Sequence, residues 1–382
     1  MKTFFKKNYL SLIIMISFLY TEDLVYEYNI HEGANLISFP IVSENYEIDY
    51  FFNSSNNNLY FNAPINSHLI TLIGEGELAL NQEGEWIGSL DEIDIKKGYW
   101  LISDTDISFA FISEEITNNF YYLHPGGNLI SYPFNTEIPY YEAIPFLTDN
   151  LLAVLGENEA LYNNNGMLVG SLYTFKPGKG YWFILNDYTP FEFNNSALSS
   201  NGNHQQESPI TRDNENLDFN QSTLQNAFFI KSIFMNGNNN TENIEIEALC
   251  NDNIVGHSNW LGEYSELMVM GNDGFETTQN YCNDSQDVLI RTRDTEQILY
   301  NISGEKIWHP NNFEVLTLSN SDFGDLNFNQ SINISDIIIM IEHITGINSF
   351  DNNHQILLAD LNNDNLINVS DVISIISHIL EY

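Results

Sequence analysis

Basic residues are scarce in this chain. Its 382 residues include 12 Lys and Arg against 52 Asp and Glu, which leaves a formal net charge of −40. A charge of this sign repels phosphate backbones and anionic membrane surfaces, attracts divalent cations and favours solubility. The composition therefore excludes nucleic acid as a partner.

Motifs typical of catalytic centres are also missing. The sequence contains no G-x-S-x-G, no H-E-x-x-H and no Cys/His nucleophile set. A glycoside hydrolase needs a catalytic domain that holds two carboxylates about 5–10 Å apart, whereas no module of this chain exceeds roughly 100 residues. Because 52 acidic residues will place some pair close together in any fold, the number of carboxylates is not evidence for a catalytic pair. We predict that the protein is not an enzyme.

Long apolar runs are absent except near the start. Three lysines among the first seven residues precede an apolar run from Leu10 to Leu19, and acidic residues follow. A membrane-spanning helix needs about 20 apolar residues, so the pattern predicts a secretory signal peptide over residues 1–22. No Cys near its end offers a lipid anchor. We expect a secreted, extracellular or cell-surface protein with no membrane span in the mature chain.

The chain has two cysteines, Cys250 and Cys282. An exported compartment favours a disulfide between them, and a bridge closing about 33 residues stabilises a fold by roughly 3–4 kcal/mol in the chain-entropy model. The alternative is two buried free thiols. The spacing matches no zinc-binding pattern.

A duplication occupies the N-terminal half. The segment HEGANLISFP at 31–40 returns as HPGGNLISYP at 124–133, an offset of 93. Further on, IKKGYW at 95–100 returns as KPGKGYW at 176–182, an offset of 82. The second copy is therefore eleven residues shorter in its middle.

Each copy is rich in short runs of β-branched and aromatic residues bounded by Gly, Asn and Pro, which predict strands. Only residues 139–156 suggest a short helix. We predict two small β modules over residues 26–115 and 118–193. They resemble a module of bacterial exoproteins that opens with GWNLISLP-like and closes with GKGYW-like residues, although Ala34 and Gly127 replace the opening aromatic. That module is mostly described as a structural or binding unit.

Aromatic pairs in the repeated segments raise the question of glycan binding, because sugars stack on aromatic faces. The pairs are Tyr99/Trp100 and Tyr181/Trp182. Aromatic pairs at the start of a strand more often belong to a core, and we favour that interpretation. We interpret His31 and His124, which open the two copies, as hydrogen-bonded turn residues rather than ligands.

Residues 194–224 contain few apolar residues and much Asn, Ser and Gln, which predicts a flexible linker. Strand signals resume over residues 225–318. In NIEIEALC, apolar residues alternate with Glu245 and Glu247, which should face outward, and Asn251-Asp252-Asn253 predicts a hairpin turn. We expect a β-sandwich-like domain.

This third domain resembles a β-domain of secreted modular proteins of uncultured marine bacteria, on the residues CNDNIVG, MGNDG and the Tyr and Cys that follow. The resemblance implies no activity. Asp273 in MGNDG has two interpretations, contact with a cation or a tight turn between glycines.

Two twelve-residue windows near the C-terminus carry oxygen-bearing side chains in the same order. DLNFNQSINISD spans 325–336 and DLNNDNLINVSD spans 360–371, an offset of 35. Ca²⁺ takes six to eight oxygen ligands, and an EF-hand loop supplies them from positions 1, 3, 5, 7, 9 and 12, position 7 through its backbone carbonyl. The predicted ligands are Asp325, Asn327, Asn329, Ser331, Asn333 and Asp336 in the first loop, and Asp360, Asn362, Asp364, Leu366, Asn368 and Asp371 in the second.

Both windows place Ile at position 8, as Ile332 and Ile367, where paired loops join by a short β-bridge. An apolar helix should follow each loop, whereas no helical pattern precedes the first one. The alternative is a pair of polar turns in front of two helices. The usual Gly of position 6 is replaced by Gln330 and Asn365, of which Asn tolerates a left-handed backbone better.

The paired half-EF-hand motifs resemble a dockerin domain, type I-like, over residues 319–382. The resemblance implies calcium-dependent folding and docking onto a cohesin-like protein or a cell-surface receptor. It also implies that the residues at loop positions 10 and 11 face the partner. These residues are Ile334, Ser335, Val369 and Ser370.

Together, the patterns predict a mainly β multidomain protein with a small all-α calcium-binding dockerin at its C-terminus. The favoured function is a non-catalytic exported protein that binds Ca²⁺, docks through the dockerin and displays β modules for adhesion or binding. The alternative is a carbohydrate-binding or polysaccharide-degrading component of an extracellular complex, which keeps glycan as a candidate ligand.

Overall fold

The computed structural model describes residues 24–381 except 54–55, 57, 62–64, 117–118, 146–149, 195–218 and 242. The predicted signal peptide at 1–22 lies outside the described residues. So does most of the predicted linker at 194–224.

Strands dominate the secondary structure. Named in chain order, they are β1 Leu24–Ile30, β2 Gly33–Ser38, β3 Leu59–Phe61, β4 Leu69–Gly74, β5 Glu77–Gln82, β6 Glu85–Gly88, β7 Gly98–Ser103, β8 Ile107–Ser113, β9 Phe120–Leu123, β10 Gly126–Ser131, β11 Ile138–Pro139, β12 Leu151–Leu155, β13 Ala160–Asn164, β14 Met167–Gly170, β15 Thr174–Phe175, β16 Gly180–Leu185, β17 Thr189–Glu192, β18 Gln225–Met235, β19 Asn238–Asn239, β20 Ile244–Cys250, β21 Asn253–Trp260, β22 Ser265–Met270, β23 Gln286–Asp287, β24 Leu289–Thr292, β25 Ile298–Ser303, β26 Ile307–Trp308 and β27 Asn312–Ser319.

The helices are short until the C-terminal domain. They are α1 Ile48–Phe51, α2 Tyr140–Ala143, α3 Ile334–Thr345, α4 Asn353–Ala359 and α5 Val369–Glu381, with 3₁₀ turns at Ile65–Ser67 and Glu276–Thr278. The predicted fold class, mainly β with a small helical C-terminal domain, is confirmed. Within residues 139–156, where a short helix is expected, the described residues contain the single helical turn α2, and β12 follows at Leu151–Leu155. No helix in the described part of the chain has the length and apolarity of a membrane span.

The described residues form two compact units. The first takes its residues from Met1–Glu157 and Leu172–Glu207, and the second from Asn158–Ser171 and Ser208–Tyr382. The hairpin β13–β14, which the sequence placed in the second β module, thus belongs to the second unit. The third β-domain and the dockerin, predicted as separate domains, also share that unit.

The two copies in the first unit have matching strand pairings. In the first copy, β7 lies between β2 and β4, and β1 pairs with β8. In the second copy, β16 lies between β10 and β12, and β9 pairs with β17. Leu36 pairs with Trp100, and at the same place in the second copy Leu129 pairs with Trp182. The longer first copy also contains β3, which pairs with β8.

Aromatic side chains fill the interior of both copies. Tyr99, Trp100 and Tyr181 are buried. The hydroxyl of Tyr99 accepts a hydrogen bond from the backbone N–H of Asp94 at 2.8 Å, and that of Tyr181 accepts one from the N–H of Lys176 at 2.9 Å. The interpretation of these three rings as core residues is confirmed. Trp182 is half-buried and packs over the missing side chain of Gly127.

The two copies contact each other through matched polar groups. Glu157 Oε1 lies 2.9 Å from His31 Nε2, and Glu157 Oε2 accepts a hydrogen bond from the backbone N–H of Leu36 at 2.9 Å. In the opposite direction, Glu75 lies 2.9 Å from His124 Nε2 and accepts the corresponding backbone N–H at 3.1 Å. Each glutamate therefore binds the opening segment of the other copy, in a local pseudo-two-fold arrangement.

Backbone contacts follow the same pseudo-symmetry. Ile37 forms a β-bridge with Lys179, and Ile130 forms one with Lys97. The symmetry fails at one side chain, because Lys179 Nζ binds Glu157 at 3.1 Å whereas Lys97 Nζ binds Glu77 at 2.7 Å. The two copies thus form a joint interface inside the first unit.

His31 and His124 are hydrogen-bonded turn residues, as expected. The Nδ1 atom of each lies within 2.8 Å and 2.9 Å, respectively, of the carbonyl oxygen of the following residue. Burial acts to lower the pKa of His31, but the hydrogen bond and charge of Glu157 outweigh it, and the pKa is raised. The Pro125 carbonyl and Glu75 raise the pKa of His124.

This interface predicts a pH dependence of stability. The charged histidines stabilise it fully below about pH 6.5, the ordinary pKa of histidine, and the effect is lost as the pH rises through their raised pKa values. Burial acts to raise the pKa of Glu157, but Lys179 and His31 hold it at about 2, so the contribution of Glu157 is lost only as the pH falls from about 4.3 towards that value.

We therefore expect the free energy of unfolding of the first unit to fall between about pH 6 and 8, by less than about 1 kcal/mol per half-exposed histidine. Urea titrations at several pH values would measure it. The double change His31→Gln, His124→Gln should flatten this slope. His68→Gln, which removes a histidine that contacts Asp104 within the first copy, is the matched control. An unchanged slope in the double variant would contradict the prediction.

The second unit is organised around β18, a strand of eleven residues. It runs parallel to β27 and antiparallel to β22, and the sheet continues through β25, β24, β20 and β21. Ser258 Oγ of β21 donates to the carbonyl of Glu266 in β22 at 2.8 Å, so the sheet curls until its two ends meet. Asn251 and Asp252 have φ of 49° and 63°, which confirms the predicted hairpin turn between β20 and β21.

The outward orientation predicted for Glu247 is wrong. Glu247 is 3% exposed, and Arg291 Nε donates to its Oε1 at 2.6 Å. Every residue of β20 from Ile246 to Cys250 is buried, so both faces of the strand are covered there and simple alternation no longer holds. Glu245 is exposed, as expected.

Cys250 and Cys282 form a disulfide, and the described residues contain no free cysteine. The bridge joins the end of β20 to the segment after the 3₁₀ turn Glu276–Thr278. Backbone contacts support the same junction, since the N–H of Asn272 donates to the carbonyl of Cys282 at 2.8 Å.

We expect thiol titration of the denatured, non-reduced protein to find no free thiol. The double change Cys250→Ala, Cys282→Ala should lower the free energy of unfolding by about 3–4 kcal/mol, because the unfolded chain regains the entropy of the open loop. Reduction of the unchanged protein should produce a similar loss and have no effect on the double variant. Two titratable thiols before reduction would refute the pairing.

Candidate calcium sites

The helices that position the candidate sites follow the predicted order. Helix α3 begins in the first loop and α5 in the second, whereas α4 precedes only the second loop. The chain reaches the first loop directly from β27, so that loop forms a half EF-hand. The small core between the helices contains the buried residues Leu326, Met340, Leu358, Ala359, Val372 and Ile375.

The aspartates at position 1 organise both loops in the same way. Asp325 accepts hydrogen bonds from the backbone N–H groups of Asn329 and Gln330, at 3.0 Å and 2.9 Å. Asp360 accepts them from the residues 35 positions later, at 3.0 Å and 2.8 Å. These bonds wrap each loop around its first carboxylate, which is how a calcium loop brings later ligands towards one ion.

The aspartates at position 12 tie the beginning of each loop to the helix that follows. Asp336 Oδ1 accepts from the N–H groups of Leu326 and Asn327, at 2.9 Å and 3.2 Å, and Oδ2 accepts from that of Asn333 at 2.9 Å. Asp371 makes two of the corresponding contacts, at 3.0 Å and 2.9 Å. The carboxylates at the two ends of each loop thus belong to one hydrogen-bonded turn.

The side chains between these ends also repeat. At position 3, Asn327 and Asn362 accept from the backbone N–H two residues later. At position 5, Asn329 and Asp364 do the same. At position 9, the Oδ1 atoms of Asn333 and Asn368 accept a hydrogen bond from a backbone N–H at the start of the following helix. These side chains would therefore bind an ion through a water molecule, as residues at this position often do.

The carbonyls at position 7 belong to Ser331 and Leu366, and each accepts from the position 9 amide at 3.1 Å. Among the described residues no β-bridge joins Ile332 to Ile367, so the expected bridge between the loops is not found. Both isoleucines instead pack against the core between the helices.

Buried carboxylates without cationic partners show that these residues fit a bound cation. Asp325, Asp336 and Asp371 are at most 1% exposed, and no ion pair of the described residues includes them. Burial raises the pKa of Asp336 although three backbone N–H groups oppose it. A divalent ion would offset this burial of charge.

The donor set suits calcium in particular. The described residues contain no group of three or more His, Cys, Asp and Glu side chains placed to hold a metal, because Asn amides and backbone carbonyls supply many of the oxygens. Ca²⁺ accepts such neutral oxygen donors in flexible geometry, whereas zinc and copper sites usually include nitrogen or sulfur ligands.

The two loops differ in backbone strain at positions 4 and 6. Position 6 is left-handed in both, with φ of 64° at Gln330 and 61° at Asn365, and so is position 4, with φ of 59° at Phe328 and 54° at Asn363. Asn adopts this conformation readily, whereas Phe and Gln do so at a cost. The first loop therefore carries more backbone strain.

A stack of aromatic rings, which the sequence did not reveal, holds Phe328 in place. Its ring lies 5.1 Å from the ring of His354, which lies 4.4 Å from Phe234 of β18 on the other side. A Cβ on Gly237 would fall within 2.4 Å of the Phe328 ring, so only glycine fits there. Burial lowers the pKa of His354 to about 4, which keeps the stacked imidazole neutral.

The predicted partner-facing residues are accessible. Ile334 and Val369 are 68% and 62% exposed, and Ser335 and Ser370 beside them are also exposed. They occupy the first turns of α3 and α5 and are related by the same offset as the calcium loops.

Asp273 in the third β-domain has a structural role. Its Oδ2 accepts hydrogen bonds from the backbone N–H of Thr223 at 2.8 Å and from the hydroxyl of Ser222 at 3.0 Å. Its Oδ1 accepts from the N–H of Phe275 and the hydroxyl of Thr278. The tight-turn interpretation accounts for both oxygens.

Comparison with known proteins identifies the C-terminal domain. Residues 323–380 match the family model of the Dockerin type I domain, which confirms the resemblance seen in the repeated loops. The C-terminal domain is a dockerin, a class that binds calcium and docks onto cohesins. No curated protein and no solved structure matches the chain significantly.

We expect the two loops to bind calcium unequally. The second offers three carboxylates, Asp360, Asp364 and Asp371, and the first offers two, because Asn329 occupies position 5. Ligand charge and rigidity set the affinity of such sites, and strain at a left-handed Gln costs on the order of 1 kcal/mol. The second loop should therefore fill first, with roughly tenfold tighter binding or more.

Calorimetric titration of the full chain with Ca²⁺ would measure both affinities. Asp364→Asn should lower the calcium affinity of the second loop, and the matched change Asn329→Asp should raise that of the first. Either change should therefore bring the two affinities closer together. Two ions of equal affinity in the unchanged protein would contradict this order. So would an Asp325→Ala variant that loses more of the tight binding than Asp360→Ala.

Proposed function

We propose that this protein is an exported, non-catalytic component of an extracellular assembly. Its calcium-loaded dockerin docks onto a cohesin-like partner, and the β modules are displayed by that attachment for adhesion or binding. The observation that carries the proposal is the doubled set of loops, each with an exposed apolar and hydroxyl pair at the start of the following helix.

The charge distribution supports this function. Calcium would neutralise the buried carboxylates beneath α3 and α5 and fix the first turns that present Ile334 and Val369. Docking would then depend on calcium although the partner does not touch the ion. The offset between the two loops also gives the domain two equivalent faces for a partner.

A non-catalytic role is supported by how acidic side chains outside the dockerin are used. Glu157 holds the two repeated modules together, Glu247 binds Arg291, and Asp273 ties a turn. Each of these carboxylates is engaged in contacts that hold the fold together.

The polysaccharide-degrading alternative has less support. Its sequence-based candidates for sugar stacking were Tyr99/Trp100 and Tyr181/Trp182, and the rings of Tyr99, Trp100 and Tyr181 are buried. Buried rings cannot stack on a sugar without unfolding the module.

We expect a purified type I cohesin to bind the full chain in Ca²⁺ and not in excess chelator, as measured by surface biosensor. Ile334→Asp or Val369→Asp alone should weaken binding modestly, because the other face remains. The double variant should lose binding by about 100-fold or more, since it places a charge in both contact patches. Asp is tolerated in the first turn of a helix, so folding should persist.

The control is Ile356→Asn on α4, an apolar residue that is 45% exposed and lies outside the loop positions. It should bind as the unchanged protein does. Calcium titration of the double variant should also remain normal. Undiminished cohesin binding by the double variant, or equal binding in chelator, would refute this mode of docking.

A further inference from the structure

Exposed aromatic rings in the described residues are confined to one place. Tyr122 is 85% exposed, Tyr188 is 74% exposed and Phe120 is 36% exposed, and no other described aromatic side chain reaches this level. All three belong to the ribbon formed by β9 and β17 in the second copy, or immediately precede it. The sequence contains 25 Phe, 21 Tyr and 5 Trp, so this concentration is not an effect of scarcity.

The rings lie on one face of that ribbon. Along β9, Phe120 and Tyr122 point outward and alternate with buried Tyr121 and Leu123. Tyr122 pairs with exposed Pro190, and Thr189, which follows Tyr188, pairs with Leu123. Tyr188 immediately precedes β17 and is two residues before Pro190, so the two-residue period of the strand, extended by one residue, places it on the same outward face.

The first copy provides an internal comparison. Its ribbon of β1 and β8 has the same register, since Asn29 pairs with Ser108 and Ile30 pairs with Ile107. Yet the outward positions are polar there. The residues corresponding to Phe120, Tyr122, Tyr188 and Pro190 are Glu27, Asn29, Asp106 and Ser108.

The inward positions of the two ribbons are kept. Tyr28 and Tyr121 donate their hydroxyl protons to the carbonyls of Ser38 and Ser131, at 2.8 Å and 3.0 Å. The fold thus requires the buried tyrosine in both copies, and it tolerates polar residues on the outside. Folding does not explain the outward aromatic rings of the second copy, which expose apolar area to water at a cost.

A groove of about 430 Å³ runs beside Phe120 and Tyr122, and its walls also include the charged or hydrogen-bonding side chains of Glu75, Lys96 and His124. This size lies within the range of about 300–1,000 Å³ that is usual for small-ligand sites. Apolar faces and charged hydrogen-bonding groups therefore meet along one edge.

The exposed area is too small for a second protein. An aromatic side chain offers about 150–250 Å², so three rings at these exposed fractions present roughly 300–500 Å². A stable protein interface takes about 800 Å² from each partner. The ligand is therefore a narrow molecule that covers the rings singly.

Charge restricts the ligand further. A chain of net charge −40 repels polyanions, and Glu75 and Glu192 are close to the rings in the fold and the register. A neutral pyranose has an apolar face of C–H groups that can stack on an aromatic ring, and hydroxyl groups around its edge that can hydrogen-bond to side chains such as Glu75 and Lys96. We propose that the outward face of the β9–β17 ribbon binds neutral polysaccharide by stacking sugar rings on Tyr122, Tyr188 and Phe120.

This site does not involve the dockerin, so glycan binding can be tested separately from docking. Native gel electrophoresis of the full chain through gels that contain one polysaccharide each would test it. The probes are hydroxyethyl cellulose, xyloglucan, galactomannan and laminarin, with alginate as the polyanion. We expect retardation by at least one neutral probe and none by alginate.

The decisive variant exchanges Tyr122→Asn and Tyr188→Asp, which are the residues that the first copy carries at these positions. It should fold normally, with an unchanged thermal unfolding midpoint, and lose at least about tenfold in apparent affinity for the probe. Asn29→Ala in the first copy is the matched control and should bind as the unchanged protein does.

Three outcomes would overturn the proposal. One is that no neutral probe retards the chain, and another is that the double variant is retarded as strongly as the unchanged protein. The third is concentration-dependent self-association, by analytical ultracentrifugation, that the double variant abolishes, because the rings would then contact a second copy of the chain.

Discussion

The structure depends on one device, the binding of carboxylates by backbone N–H groups. A chain with 52 acidic and 12 basic residues has far fewer cations than carboxylates. Glu157 and Glu75 each take an N–H from the opposite module in addition to a histidine, and Asp273 takes two N–H groups. The calcium loops use the same device at positions 1 and 12. Charge-assisted bonds of this kind are stronger than neutral ones, and they leave the remaining lone pairs available.

The two duplications in the chain use this device differently. In the dockerin, the hydrogen bonds of one loop are repeated in the other, and the copies differ mainly in charge and strain at positions 4, 5 and 6. In the N-terminal modules, the inward residues and the reciprocal glutamates are kept while the outward face of one ribbon has changed from polar to aromatic. A duplicated fold thus maintains its interior and varies its surface, which places functional differences where they cost least stability.

Periodic and local features could be predicted from the sequence, and contacts between distant segments could not. The ligand positions from Asp325 to Asp371 follow a fixed spacing, so both helices and the half EF-hand were predictable. Phe120 and Tyr122 lie two residues apart in β9 and so share a face, but residues 120–123 are all aromatic or apolar, and which of them meet solvent depends on the sheet around them. Glu247 was misplaced because its partner Arg291 lies on another strand. The stack of His354 between Phe234 and Phe328 joins three separate segments, and no local pattern reveals it.

That stack has a consequence for how modules can be exchanged between proteins. Dockerins are usually thought of as portable tags that can follow any domain. Here the first calcium loop inserts Phe328 over Gly237 of the neighbouring β-domain, and His354 leans on Phe234 of the same domain. If this dockerin were joined to a different domain, Phe328 would keep its strained backbone without its packing partner, and the His354 ring would be exposed to water. The β-domain and its dockerin therefore form one exchangeable unit, and a recombination that keeps the unit intact would join the chain on the N-terminal side of the β-domain.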